Sequence, residues 1–163
     1  MRERPDVLDW LAAREQVRVA HRPARPTHTL GYTAASTYVE TFWLPLVGPT
    51  ALLALRRLDA WLANAPGEIT ISVRVLGESL GIGAGTGRRS AVVRTLTRLV
   101  NFRLASIDSE TYMIHRELPM LSPRQLGRLP AWLIAGHEQL IQGSTRGIDR
   151  ASAARQSDVS SSG

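Results

Sequence analysis

Apolar residues recur at helical spacing through the middle of this chain and alternate with polar ones in short stretches between. Ser36 can cap a helix that carries Tyr38, Val39, Phe42, Trp43 and Leu46, with Pro45 ending or kinking it. Gly48-Pro49 opens a second helix, proline standing at the first helical position where its missing N–H costs nothing. Leu52, Leu55, Leu58 and Leu62 line one face of that helix, and Asn64-Ala-Pro-Gly67 stops it. Glu68–Ser72 alternates and reads as a strand. Ser72 then caps a helix over Val73–Leu80, which Gly81 can end in the left-handed conformation. After a glycine-rich loop to Gly87, a helix runs from Ser90 to about Phe102. Leu104–Asp108 and Thr111–His115 read as two strands joined by Ser109-Glu110, and Pro130 opens a last helix to about Gln142. Leu76, Leu80, Val92, Leu96 and Leu99 are expected to be buried against Leu52, Leu55 and Leu58.

The ends are less patterned. Val7, Trp10, Leu11 and Val17 predict a short helix within 6–19. The stretch His21–His28 holds two prolines and reads as a linker or arm. Residues 143–163, rich in Ser, Ala, Arg and Gly, are expected to be disordered. The division predicted is an N-terminal helix and arm over 1–34, a central domain over 35–120, a helical extension over 121–142 and a tail over 143–163. The fold class is mostly α with a small β-hairpin, an α+β arrangement with extra N- and C-terminal helices.

Charge sharpens this picture. All 20 basic residues are arginines, against 14 acids. Segment 79–107 holds five arginines and no acid, so nearly all of the net +6 resides there. A local block of this kind suits a polyanion. No apolar run approaches the ~20 residues that span a bilayer, the first 25 residues are too charged and proline-rich for a signal peptide, and cysteine is absent. The expected compartment is the cytoplasm, with nucleoid association if the chain binds DNA.

The helix over 90–102 carries the candidate chemistry. Val92, Val93, Leu96, Leu99 and Val100 fall on one side; Arg94, Thr97, Arg98 and Asn101 fall on the other, with Ser90 flanking and Arg88 and Arg89 leading in. Arginine can grip guanine with two donors and asparagine can do the same with adenine. Arg88, Arg89, Ser90, Arg94, Thr97, Arg98 and Asn101 are therefore the expected DNA-binding residues.

The pattern Ser72-Val-x-x-Leu-Gly-x-x-Leu-Gly-Ile82 resembles the first helix of many helix-turn-helix domains, where a small residue, here Gly77, admits the next helix. Segment 36–118 resembles winged-helix domains of actinobacterial type. Phe42–Leu55 is similar to the opening of the winged helices in primosomal DnaD/DnaB-like replication proteins. The resemblance implies a winged helix-turn-helix that binds double-stranded DNA as a transcriptional regulator. The alternative is a winged-helix protein-interaction module, a replication or assembly accessory without direct DNA contact. An acidic hairpin tip, Asp108 and Glu110, favours the second.

Other chemistries fit poorly. The Gly81–Gly87 loop lacks the lysine of a phosphate loop and fails the dinucleotide spacing. His137-Glu138 begins like a zinc-protease motif, but Ile141 stands where its second histidine belongs. The expectation is no catalytic constellation, no metal, no cofactor and no membrane. The helix 131–142, with Trp132, Leu133 and Leu140, is apolar over a wide arc and is expected either to cap the core or to pair with a second copy.

Overall fold

Val17 and Val19 lie in the middle of a sheet. The computed structural model describes residues 6–23 and 31–160, with side chains to residue 146. Two units form, Met1–Met120 and Leu121–Gly163. In the first, helix α1 spans only Val7–Ala12, capped by the Asp6 carboxylate, which accepts from the Leu8 N–H at 3.1 Å. The remainder of the expected 6–19 helix is a strand, β1, Gln16–His21. The alternation of its two β-branched valines, both buried, outweighs the looser helical spacing.

β1 joins β3 (Glu68–Ser72), β4 (Ala105–Asp108) and β5 (Thr111–Ile114) in a four-stranded sheet of order β3-β1-β5-β4. It runs antiparallel to β3, with Val17 opposite Ile71, and parallel to β5, with Val19 opposite Tyr112. The ladder continues past both ends: Val73 N–H donates to the Glu15 carbonyl at 2.9 Å and Arg22 N–H to the Ile114 carbonyl at 2.7 Å. The sheet is thus larger than the hairpin the sequence predicts, and no arm begins before residue 23. The predicted boundary at 34/35 therefore does not divide the fold. Residues 24–30 of the expected arm, and 161–163 of the expected tail, lie outside the described residues. A separate ladder pairs β2 (Gly31–Thr33) with β6 (Glu117–Pro119).

The helices follow the predicted order. Residues Val39–Trp43 wind as a π-helix, opened by Ser36, whose hydroxyl accepts from the Val39 N–H at 3.3 Å. An α-helical turn, α2 (Leu44–Val47), follows. Pro45 has no N–H for an ordinary helical bond, which accounts for the change of winding in front of it. α3 (Pro49–Ala63), α4 (Val73–Ser79) and α5 (Ala91–Asn101) come next. Leu52, Leu55, Leu58, Leu76, Val92, Leu96 and Leu99 are all buried, as expected, while Leu80 is only half-buried. The Tyr112 ring lies in this core, and its hydroxyl donates to the Leu96 carbonyl at 2.7 Å, tying β5 to α5.

The second unit opens with α6 (Pro123–Leu126), where Ser122 and Gln125 cap each other reciprocally. Its long helix, α7, runs Ala131–Ser160. Segment 143–160, expected to be disordered, instead continues this helix. Alanine, arginine and glutamine near its end favour helix, and extending an existing helix avoids the cost of nucleation. No helix among the described residues is long and apolar enough to cross a membrane.

Because β1 is central, a chain lacking residues 1–22 is expected to lose its cooperative thermal transition; a circular dichroism melt close to that of the full chain would refute the placement. Burial also pushes the Tyr112 phenol well above its ordinary value. The unfolded chain releases that proton near pH 10, whereas the folded chain holds it. Stability is therefore unaffected by this group below about pH 10 and falls as pH rises above it. Urea denaturation from pH 8 to 11 should show that decline, and Tyr112→Phe should flatten it.

Candidate nucleic-acid interface

α5 has the strongest two-sided character in the fold. Val92, Val93, Thr95, Leu96 and Leu99 are buried, while Ala91, Arg94, Arg98 and Asn101 are exposed. Ser90 sets where it begins. Its hydroxyl accepts from the Val93 N–H at 3.4 Å and donates to the Gly85 carbonyl at 2.6 Å, so one buried side chain caps the helix and fastens the glycine loop. The loop folds back on α4. A Cβ on Gly77 would stand 2.2 Å from the Gly83 carbonyl oxygen, so glycine at 77 is required by the loop backbone and not by the next helix, whose Val92 at 3.5 Å would be in ordinary contact.

The seven sequence-predicted residues separate into two groups. Ser90 is a buried cap and does not face outward. Arg88 is paired with Asp9 of α1. Arg98 turns its guanidinium onto the end of α2, with Nε donating to the Val47 carbonyl and Nη2 to the Leu46 carbonyl at 2.9 Å, beside the Phe102 ring at 5.1 Å. Those carbonyls lie at a helix C-terminus, where they lack helical donors and carry partial negative charge, which is why a cation settles there. Thr97 donates its hydroxyl to the Val93 carbonyl at 2.9 Å within its own helix. Arg89, Arg94 and Asn101 remain exposed and make no side-chain hydrogen bond or ion pair within the described chain.

The surroundings of α5 were not legible as neighbours in sequence. α1 packs against α5, with Trp10 and Leu11 buried. At one end of α1, Asp9 takes Arg88; just past the other, Arg14 pairs with Glu110 at the hairpin tip at 2.6 Å. Arg14 also donates to the Trp10 carbonyl at 2.7 Å and lies 3.9 Å over the Trp10 ring. The expected acidic tip is thereby half neutralised and fixed in place, leaving Asp108 exposed.

Two other places hold polar chemistry. His21 Nε2 lies 2.6 Å from Asp59 Oδ1, and Arg116 Nη2 lies 3.3 Å from His21 Nδ1. This chain of contacts joins the end of β1 to α3 and offers no nucleophile. On the outer face of α3, Leu53, Arg57, Ala60, Trp61 and Leu80 line an open hollow of about 320 Å³. Among the described residues no cluster of three or more His, Asp or Glu side chains could hold a metal ion.

The two arginines of α5 should respond differently to truncation. Arg98→Ala removes charged hydrogen bonds to two helix-end carbonyls and is expected to cost about 1–3 kcal/mol. Arg94→Ala, on the open face, should stay within about 0.5 kcal/mol. Chemical denaturation of both variants checks this, and equal stabilities would remove the structural role given to Arg98.

No family model matches this chain, and no curated protein or solved structure is significantly similar to it.

Proposed function

We propose that this chain is a DNA-binding protein, a transcriptional regulator, that lays α5 in the major groove. The supporting frame is a winged-helix arrangement in which α3, α4 and α5 are the three helices, β3 the first strand and β4–β5 the wing, with β1 spliced between β3 and β5. One observation carries the reading: Arg89, Arg94 and Asn101 face outward, without side-chain partners among the described residues, on and beside a helix anchored by its opposite face. Segment 79–107 around them contains no acid. An 11-residue helix is about 16 Å long and about 10–12 Å across with its side chains, and the major groove is about 12 Å wide. In this pose Arg94 and Asn101 reach base edges and Arg89 reaches the backbone. Pairing of two copies through α7, where Trp132 is 72% exposed, would match a two-fold DNA site.

A second reading has its own support. The hairpin tip is held by Arg14, and the hollow beside α3 exposes Leu53 by 51%, features that suit a winged helix docking on another protein. The two readings part on salt. DNA binding through phosphates weakens linearly in log salt.

The deciding experiment titrates wild type and the double variant Arg89→Ala/Arg94→Ala against one duplex at several salt concentrations. The variant should bind more weakly at unchanged melting temperature. Loss of the Arg89 phosphate contact should shrink the slope of log affinity against log salt by about 0.9, or by about 1.8 if Arg94 meets a phosphate as well. With Arg94 on a base edge, discrimination at that position should relax by ~1–3 kcal/mol. Equal affinities and equal slopes would transfer the function to the protein-docking reading.

A further inference from the structure

Arg103 stands just past α5 in a left-handed conformation, with φ of +60°. Its N–H donates to the Val100 carbonyl at 2.9 Å, and the Leu104 N–H donates to the Leu99 carbonyl at 2.9 Å. This double closure forms around one left-handed residue, a position that glycine ordinarily fills because a Cβ there crowds the backbone. Five of the other six positive-φ positions among the described residues hold glycine, namely Gly48, Gly67, Gly81, Gly83 and Gly87; the sixth is Ser109, in the β4–β5 turn. At residue 103 the chain places its longest cationic side chain instead, at a conformational cost.

Among the described residues no side-chain partner rewards that choice. Arg103 is exposed and makes no side-chain hydrogen bond or ion pair within the described chain. Attraction to the helix dipole is a weak reason, because a cation in the last helical turn, such as Arg98, gains the same attraction without a left-handed backbone. A strained, exposed and unpartnered cation is the kind of outlier from which a binding role is inferred.

Its position says which role. A helix crossing the major groove shows its middle to base edges and its ends to the two sugar–phosphate backbones. Arg94 and Asn101 lie within α5, Arg89 precedes it and Arg103 follows it. We propose that Arg103 is a phosphate contact, holding the C-terminal end of α5 against one backbone while Arg89 meets the other. This rests on the DNA-binding reading of α5 and adds a residue to it.

The test compares wild type, Arg103→Gly and Arg103→Lys on two unrelated duplexes of two helical turns, by fluorescence anisotropy across a salt series. Arg103→Gly should bind both duplexes more weakly and by the same factor, with the salt slope reduced by about 0.9. Its deficit against wild type should therefore shrink about three- to four-fold between 50 and 200 mM salt. Its melting temperature should hold or rise, since glycine relieves the left-handed strain. Arg103→Lys should keep the wild-type slope. A full wild-type slope in Arg103→Gly, on a wild-type protein that does bind, would overturn this inference and leave the DNA reading standing. A wild-type protein that binds neither duplex would overturn both, as would binding of an acidic peptide in their place.

Discussion

The fold depends on β1 lying between two strands that are distant from it in sequence. β3 and β5 run antiparallel to each other, yet neither hydrogen-bonds the other; each bonds β1. Remove β1 and two rows of backbone donors and acceptors lose their partners, while Ile71 and Tyr112 lose the valines opposite them. Unpaired buried backbone groups are costly. The central domain and the N-terminal segment are therefore one cooperative object, and the hairpin β4–β5 is held at its place through β1.

From that sheet the position of α5 follows. Tyr112 fixes β5 to the Leu96 carbonyl, and the apolar face of α5 is buried against the helices that precede it. Fixing one face fixes the other. Ser90 and Gly77 then fold the glycine loop against α4, so the start of α5 is defined by packing as well as by capping. A rigid mount of this kind suits the proposed role of α5, because side chains aimed at a groove bind best when held before the ligand arrives.

The arginines around α5 divide between holding the fold and facing outward. Arg98 closes the end of α2, Arg88 meets α1, and Arg14 ties the hairpin tip to the end of the same short helix. α1 thus connects the approach to α5 with the tip of β4–β5, and the hairpin is not free to move independently. On the proposed DNA-binding reading, this shifts the burden from the hairpin to α5 and its flanks. Arg89, Arg94, Asn101 and Arg103 are the side chains left over.

The sequence by itself determined helices α3 to α5 and the apolar face of α5, because these depend on spacing within a dozen residues; it misassigned 16–21 and 143–160. Capping by Ser36 and Ser72, and the proline at the start of α3, are likewise local chemistry and were legible as such, whereas Ser90, expected to face DNA, is a buried cap. What only the tertiary structure decided is set by partners far away. Val17 and Val19 give just two turns of alternation, and their strand exists because Ile71 and Tyr112, over 50 and 90 residues on, accept them. Arg94 and Arg98 look alike in sequence, one turn apart on one face; the carbonyls of Leu46 and Val47 separate them. Arg103 carries no periodic signal, because its distinction is a backbone angle fixed by how α5 closes. Local spacing selects which faces turn inward, but a contact's identity depends on what the rest of the chain brings to meet it.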